Sequence, residues 1–204
     1  MTDGVSGLAR RLEAGDVRLG VSLARAKDTR RVQALAAASE AGGWRWLLAL
    51  STGTLAYGLL RRNPRLAEAG RHMLASGVLA AATKTTVKRI VHRTRPNVLM
   101  DEGFYEKGWF GPNVGPWQSF PSGHSAMSVA VASAAGRAYP EIRGVATAAA
   151  LGVVGAQVLR GAHFPSDVVA GALIGLTSEA VAHELAIGRD RIAACAARTG
   201  EAGR

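Results

Sequence analysis

Five uncharged apolar stretches alternate with charged segments along this chain. They cover residues 46–60, 72–83, 119–136, 144–159 and 168–178. Small and aliphatic residues fill them, and such Ala-rich runs favour helix over strand because alanine has the highest intrinsic helix propensity. The pattern therefore predicts an all-α fold, a bundle of about five core helices.

We interpret these helices as membrane spans, with the buried helices of a soluble bundle as the alternative. The uncharged cores are short, because the longest has 18 residues and a clean span needs roughly 20. The spacing Gly171-x3-Gly175 nevertheless favours the membrane, since small residues four apart allow close helix packing in lipid. The expected architecture is a multi-span transmembrane helical bundle.

The first 43 residues are polar. They carry seven basic and five acidic residues, too many for a span, and Val17 and Val21 recur at helical spacing. The pattern fits an amphipathic helix on the membrane surface as well as a solvated helix packed on the body. The beginning of the chain lacks the apolar core of a signal peptide. The expected division is a polar helix over 1–43, a membrane domain over 44–188 and a basic tail over 189–204.

The net charge of +10 raises the question of a nucleic-acid partner. Basic residues flank the apolar segments, as Arg61, Arg62 and Arg189 do, instead of forming a stripe with interleaved aromatics. That distribution suits anionic lipid headgroups and topology signals, so we expect membrane lipids as partners and no nucleic acid. The single Cys195 cannot form an intrachain disulfide, and it gives no information about redox compartment.

Three short blocks carry the candidate chemistry. The first block ends the second apolar helix, the second opens the third helix, and the third lies between the fourth and fifth. Antiparallel spans would therefore bring all three to one face of the bundle. In chain order the blocks are Lys88-x6-Arg95-Pro96, Pro121-Ser122-Gly123-His124 and Arg160-Gly161-Ala162-His163-Phe164-Pro165-Ser166-Asp167.

The first two blocks are suited to binding an anion. Lys88 and Arg95 are seven residues apart and would share a helix face, with Pro96 ending that helix. An arginine fork and a lysine point charge both suit phosphate oxygens. Ser122 and Gly123 would lie in the first turn of a helix, where free amides and the positive helix end favour an anion.

The second and third blocks add groups that can react. His163 is the candidate nucleophile, because a neutral imidazole can attack phosphorus and carry the phosphoryl group until water releases it. Asp167, four residues on, would accept a hydrogen bond from the other ring nitrogen and fix the tautomer. The neighbouring cations Lys84, Arg89 and Arg93 are expected to contact only lipid headgroups.

In this order the blocks resemble the type 2 phosphatidic acid phosphatase (PAP2) superfamily, over about residues 72–187. The resemblance implies a metal-independent phosphatase that works through a phosphohistidine. It also implies that His124 is the general acid that protonates the leaving oxygen. The sequence contains no His-Glu-x-x-His, Cys cluster or Walker A loop, so no metal and no cofactor is expected.

The third block departs from the family pattern, in which an arginine stands six residues before the histidine. Gln157 occupies that position, and Ala156 replaces the preceding serine. Arg160 lies about one turn further along, and its long side chain could restore the missing charge to the phosphate. The alternatives are a weakened site and an Arg160 that faces the headgroups.

The expected activity is hydrolysis of a phosphomonoester or diphosphate of an anionic lipid. Candidate substrates are isoprenoid phosphates or diphosphates, phosphatidic acid and phosphatidylglycerophosphate. The alternatives are a soluble acid phosphatase of the same superfamily, a vanadate site that oxidises halide, and a catalytically weakened protein that binds membrane phospholipid. The sequence does not indicate an oligomeric state.

The location of the site is inferred from charge and aromatic residues. Basic residues are more numerous at the bundle end away from the three blocks, which places the site outside the cytoplasm, although a basic N-terminal helix on the site face reverses the count. Family habit favours the extracytoplasmic face of a multi-pass inner-membrane protein. The aromatic-rich loop 97–120 is either a cap over the site or an interfacial anchor.

Overall fold

The computed structural model describes the backbone of residues 2–201 and the side chains of residues 7–189. The helices are α1 (Thr2–Leu23), α2 (Arg30–Ser39), α3 (Trp44–Leu60), α4 (Pro64–Ile90), α5 (Pro96–Glu102), α6 (Gly123–Ala138), α7 (Arg143–Leu159) and α8 (Pro165–Glu201). Two strands, β1 (Val91–Arg93) and β2 (Lys107–Trp109), pair antiparallel.

Five helices, α3, α4, α6, α7 and α8, form the bundle that the apolar pattern predicts. The shortest, α6, has 16 residues and is about 24 Å long at 1.5 Å per residue. Among the described residues, the segments Pro140–Leu159 and Pro165–Arg189 are long and apolar enough to cross a membrane by themselves. The spans alternate in direction, so the ends that carry the three blocks lie together.

The first block does not form one continuous helix, contrary to the sequence prediction. Helix α4 ends at Ile90, and the chain then runs extended through β1 to Arg95, which has ψ 154°. The cause is Pro96, whose ring disfavours helical backbone at the residue before it and which instead begins α5. Lys88 and Arg95 therefore come from different elements.

Helices α6 and α8 are in direct contact at Gly171 and Gly175, the two glycines predicted to allow close helix packing. A Cβ added to Gly171 would lie 2.4 Å from the carbonyl oxygen of Ser122, and one added to Gly175 would lie 2.6 Å from that of Ala126. No side chain fits at these distances, so the small-residue spacing is required for the packing. The contact places the start of α8 beside the start of α6, where the second and third blocks meet.

Replacing Gly175 with leucine should destabilise the protein by about 1–3 kcal/mol or more, because an added side chain forces α6 and α8 apart. The measurement is thermal unfolding of the detergent-purified protein. The matched control is Gly152→Leu in α7, where an added Cβ would meet nothing within 4 Å. Equal unfolding temperatures for the two variants would contradict the contact.

The bundle end away from the three blocks is held by a buried carboxylate. Both carboxylate oxygens of Glu179 in α8 accept hydrogen bonds from Arg137, at 2.5 and 3.0 Å. His72 of α4 lies 3.3 Å from the same carboxylate. These contacts connect α4, α6 and α8 through a group that is almost fully buried.

The N-terminal region packs on the same end of the bundle as the three blocks. The polar side of α1 contacts the body, because Asp16 accepts hydrogen bonds from the backbone of Ser166 and from Arg93. Next to this contact surface α1 carries an exposed leucine stripe, formed by Leu8, Leu12, Leu19 and Leu23. An apolar stripe beside the end of a span is typical of a helix lying in the membrane interface. The domain boundaries at 43 and 188 stay a prediction.

Candidate active site

The three blocks meet at one end of the bundle, joined by backbone hydrogen bonds. The amide of Ser122 donates to the carbonyl of Asp167 at 2.9 Å, and the amide of Asn97 donates to the carbonyl of Gly161 at 2.9 Å. The Lys88 ammonium donates to the carbonyl of Gln118 at 2.5 Å. The second block is therefore tied to the third, and the third to α5.

His163 is nearly fully buried between these segments. Its Nδ1 lies 2.6 Å from the carbonyl oxygen of Ser119, so Nδ1 carries the proton that is donated, and the lone pair of the neutral ring is on Nε2. Burial, with the charges of Lys88 and Arg95, holds the pKa of His163 well below its ordinary value. A neutral imidazole with a free Nε2 is the form that can act as a nucleophile.

Asp167 does not make the predicted direct hydrogen bond to His163. Its Oδ2 lies 3.9 Å from Nδ1, because the Ser119 carbonyl has taken the ring N–H. The carboxylate instead accepts from Ser119 Oγ at 2.6 Å and from the amide of Phe164 at 2.8 Å. Asp167 therefore orients the imidazole indirectly, by fixing the residue whose carbonyl holds it.

Arg93 belongs to the site, contrary to the expectation that it would contact headgroups. Its side chain is buried, and its Nη1 donates to Asp167 and to Ser166 Oγ, both at 2.8 Å. Its Nη2 donates to Asp16 at 2.8 Å. No local signal marked Arg93, because its partners Asp167 and Asp16 lie 74 and 77 residues away in the sequence.

The cations Lys88 and Arg95 lack a carboxylate partner among the residues whose side chains are described. The Nε of Arg95 is buried and has no hydrogen-bond partner there. Burial, followed by the charge of Arg160, lowers the pKa of Arg95. Clustered cations without a counter-ion favour the binding of an anion.

Ser122 and Gly123 form the start of α6 as predicted. Ser122 is fully buried, and its Oγ accepts from the hydroxyl of Ser125 at 3.0 Å, which leaves its own hydroxyl hydrogen to donate. A Cβ on Gly123 would lie 3.8 Å from the Nζ of Lys84. Lys84 therefore adds a further cation beside the helix N-terminus, a role that the sequence did not indicate.

Gln157, which replaces the family arginine, and Arg160, the candidate substitute for it, both contact the N-terminal region. Gln157 is fully buried, and its Nε2 donates to Ser39 Oγ at 3.1 Å. Arg160 donates to the carboxylate of Glu40. The other oxygen of Glu40 lies 3.4 Å from Nε2 of His124. Glu40 was not among the predicted site residues, because it is 84 positions from the histidine in the sequence.

One part of the aromatic-rich loop 97–120 packs on the site, and another part is exposed. The ring of Tyr105 packs edge-on against Phe164, next to His163, and its hydroxyl donates to Glu13 of α1 at 2.6 Å. Trp109 and Phe110 are instead largely exposed. The loop thus has one part that packs on the site and another that is available to the membrane interface.

A family model covers most of the region that contains these groups. The model of the PAP2 superfamily matches residues 69–189, which include all three blocks. The chain belongs to the PAP2 superfamily.

Individual relatives within the superfamily are lipid phosphatases by name. The chain is 30% identical over 141 residues to a lipid A 1-phosphatase of Rhizobium etli, covering 64% of this chain and 60% of that protein. It is 31% identical over 148 residues to the decaprenylphosphoryl-5-phosphoribose phosphatase of Mycobacterium tuberculosis, covering 72% and 74%. The match therefore spans less than two thirds of the length of the Rhizobium relative.

Two solved PAP2 structures share the fold. The first transmembrane PAP2 type phosphatidylglycerolphosphate phosphatase, from Bacillus subtilis, superposes with a TM-score of 0.65 at 20% identity, covering 87% of each chain. LpxE of Aquifex aeolicus gives a TM-score of 0.58 at 22% identity, covering 82% of this chain and 93% of that one. The predicted multi-span membrane bundle is confirmed, and the protein is an integral membrane protein.

Proposed function

We propose that this PAP2 protein is a metal-independent lipid phosphatase that works through a phosphohistidine. The observation that carries the proposal is a buried, neutral His163 beside Lys88 and Arg95, two cations without a carboxylate partner among the described side chains. A phosphate dianion would supply the missing counter-charge. The same charges would stabilise the negative charge on the phosphoryl oxygens during transfer.

The geometry supports a two-step reaction. The lone pair on Nε2 of His163 attacks phosphorus, a nitrogen–phosphorus bond forms, and the bond to the leaving oxygen breaks. His124 gives a proton to that oxygen and releases the lipid alcohol. Water then attacks the phosphohistidine, with His124 taking its proton, and inorganic phosphate leaves. Lys88, Arg95 and Arg160 hold the phosphoryl oxygens in both steps.

The substrate class we propose is a membrane lipid with a terminal phosphate on a polar headgroup. A cavity of about 690 Å³ lies beside His124, where the leaving group would sit, and it is lined by Trp44, Arg45 and Trp46 as well as by Glu40. Such a cavity can take a headgroup larger than glycerol. The Mycobacterium relative carries phosphoribose in the name of its substrate, so lipid-linked sugar phosphates join the candidates from the sequence.

We also propose that the site faces the extracytoplasmic side of the inner membrane. The leucine stripe of α1 and the exposed Trp109 and Phe110 lie at the site end of the bundle, at the depth where headgroups meet water. The N-terminal region brings seven basic residues to the site end, so the positive-inside count does not support this orientation, which rests on the habit of the PAP2 superfamily. The opposite end also carries arginines. They include Arg61, Arg62, Arg65, Arg71, Arg137 and Arg143.

The proposal is tested by phosphate release from a panel of lipid phosphates in detergent, with EDTA present. The panel holds phosphatidic acid, phosphatidylglycerophosphate, an isoprenoid phosphate and diphosphate, and a lipid-linked sugar phosphate. We expect release that chelation does not reduce. In a separate assay without EDTA, vanadate should inhibit release, because vanadate takes the place of phosphate. No release from any lipid, together with retained phospholipid binding, would favour the weakened binding protein instead.

A further inference from the structure

Two consecutive residues of the N-terminal region contact Gln157, which replaces the family arginine, and Arg160, the candidate substitute for that arginine. Ser39 accepts a hydrogen bond from Gln157 at 3.1 Å, and Glu40 accepts one from Arg160. Gln157 is fully buried, so this amide contact lies inside the protein. The missing family arginine is therefore accompanied by a specific contact with the segment before α3.

Glu40 also reaches the second block. Its Oε2 lies 3.4 Å from Nε2 of His124, and that nitrogen is buried without a hydrogen-bond partner among the described side chains. Gly43, three residues on, would bring a Cβ to 3.5 Å from the same nitrogen, so the backbone before α3 closes over the ring. Among the described side chains, Glu40 is the one acidic group within ion-pair distance of His124.

The carboxylate of Glu40 is ionised at neutral pH. The hydrogen bond from Arg160 holds the pKa of Glu40 below its ordinary value, and the charge of His124 acts in the same direction. A charged carboxylate beside one ring nitrogen stabilises a protonated imidazole and fixes its orientation. The second ring nitrogen, Nδ1, is then the one left to donate a proton to a leaving oxygen.

We propose that Glu40 is a positioning residue for leaving-group protonation: it holds His124 as the general acid and anchors Arg160 in place of the family arginine. The inference rests on the proposed phosphatase function. It makes residues 39–43 a part of the catalytic machinery, although the sequence places them outside the phosphatase domain. It also explains why Arg160 can stand three residues away from the family position, since Glu40 fixes where its guanidinium lies.

The test is a comparison of leaving groups in Glu40→Gln. A lipid alcohol leaves only when its oxygen is protonated, whereas nitrophenolate leaves without a proton. The ratio kcat/KM reports the steps up to departure of the leaving group. We expect Glu40→Gln to lower kcat/KM for the best lipid phosphate about 10–100-fold more than for nitrophenyl phosphate, because only the lipid alcohol needs the proton, whereas a displaced Arg160 affects both substrates.

Two further variants isolate the charge of Glu40. Glu102→Gln removes an exposed carboxylate at the end of α5 and should leave both substrates unchanged. Glu40→Asp keeps the charge and should recover part of the loss on the lipid substrate. The unfolding temperature of each variant, measured in detergent, controls for folding.

Two outcomes would overturn the inference. An equal loss of kcat/KM on both substrates would show that Glu40 has only a structural role, and the proposed function would stand. Glu40→Gln could instead show a lower KM and stronger vanadate inhibition, with no change in leaving-group preference. That result would show that Glu40 competes with phosphate for Arg160. Failure of the unmodified protein on every substrate would instead remove the phosphatase function, and the role of Glu40 with it.

Discussion

His163→Gln is expected to lower kcat/KM for every lipid phosphate by about 10⁴-fold or more, since no other described group can replace the attacking nitrogen. Nε2 of His163 is the atom with a free lone pair because Nδ1 is bound to the Ser119 carbonyl. Glutamine is similar in size and can keep a hydrogen bond to that carbonyl, so the fold should persist. The measurement is phosphate release, with the unfolding temperature as the control for folding.

Trapping the covalent intermediate distinguishes the nucleophile His163 from the general acid His124. The protein is mixed with nitrophenyl phosphate that is labelled in its phosphoryl group and is then rapidly denatured. The unmodified protein should carry the label on histidine, and His163→Gln should carry none. His124→Gln should accumulate more label, because His124 also activates the water that breaks the phosphohistidine. Label on the His163→Gln protein would contradict the assignment of the nucleophile.

Arg93→Met is expected to destabilise the protein by about 3–5 kcal/mol and to remove its activity, because it leaves a buried carboxylate without its cation. Asp167 is fully buried and receives a hydrogen bond of 2.8 Å from Arg93. Loss of this contact lets the Asp167 carboxylate shift, and Ser119, which donates to that carboxylate and whose carbonyl orients His163, shifts with it. The measurements are unfolding in detergent and phosphate release.

The matched control is Arg89→Met, which removes an arginine four residues earlier whose side chain is exposed. Its stability and activity should change little. The double variant Arg93→Met with Asp167→Asn should regain part of the stability, since the fully buried side chain at position 167 then carries no charge, but none of the activity. Equal effects of Arg89→Met and Arg93→Met would show that Arg93 contributes only general positive charge.

The bundle could be predicted because its signals are local in the sequence. Apolar runs define helices by their composition alone, and Gly171 and Gly175 show their packing role through their spacing. The blocks around His124 and His163 were informative for a similar reason, because residue types in a fixed order identify the superfamily. The prediction that Lys88 and Arg95 share a helix was wrong, although Pro96 was a local signal against it.

Contacts between distant segments could not be predicted in this way. Arg93 binds Asp167, which is 74 residues away, and Asp16, which is 77 residues away. Glu40 binds Arg160 across 120 residues. Nothing in the neighbourhood of these residues in the sequence distinguishes them from other charged side chains near a membrane surface.

The sequence by itself determined the all-α membrane bundle and the PAP2 membership, and it predicted the groups that would bind and attack a phosphate. Only the tertiary structure decided how those groups are held: the imidazole of His163 by a backbone carbonyl, Asp167 by Arg93, and Arg160 by Glu40. The physical reason is that residue type sets which bonds a group can make, whereas the folded chain sets which partner lies within about 3 Å, the range of a hydrogen bond.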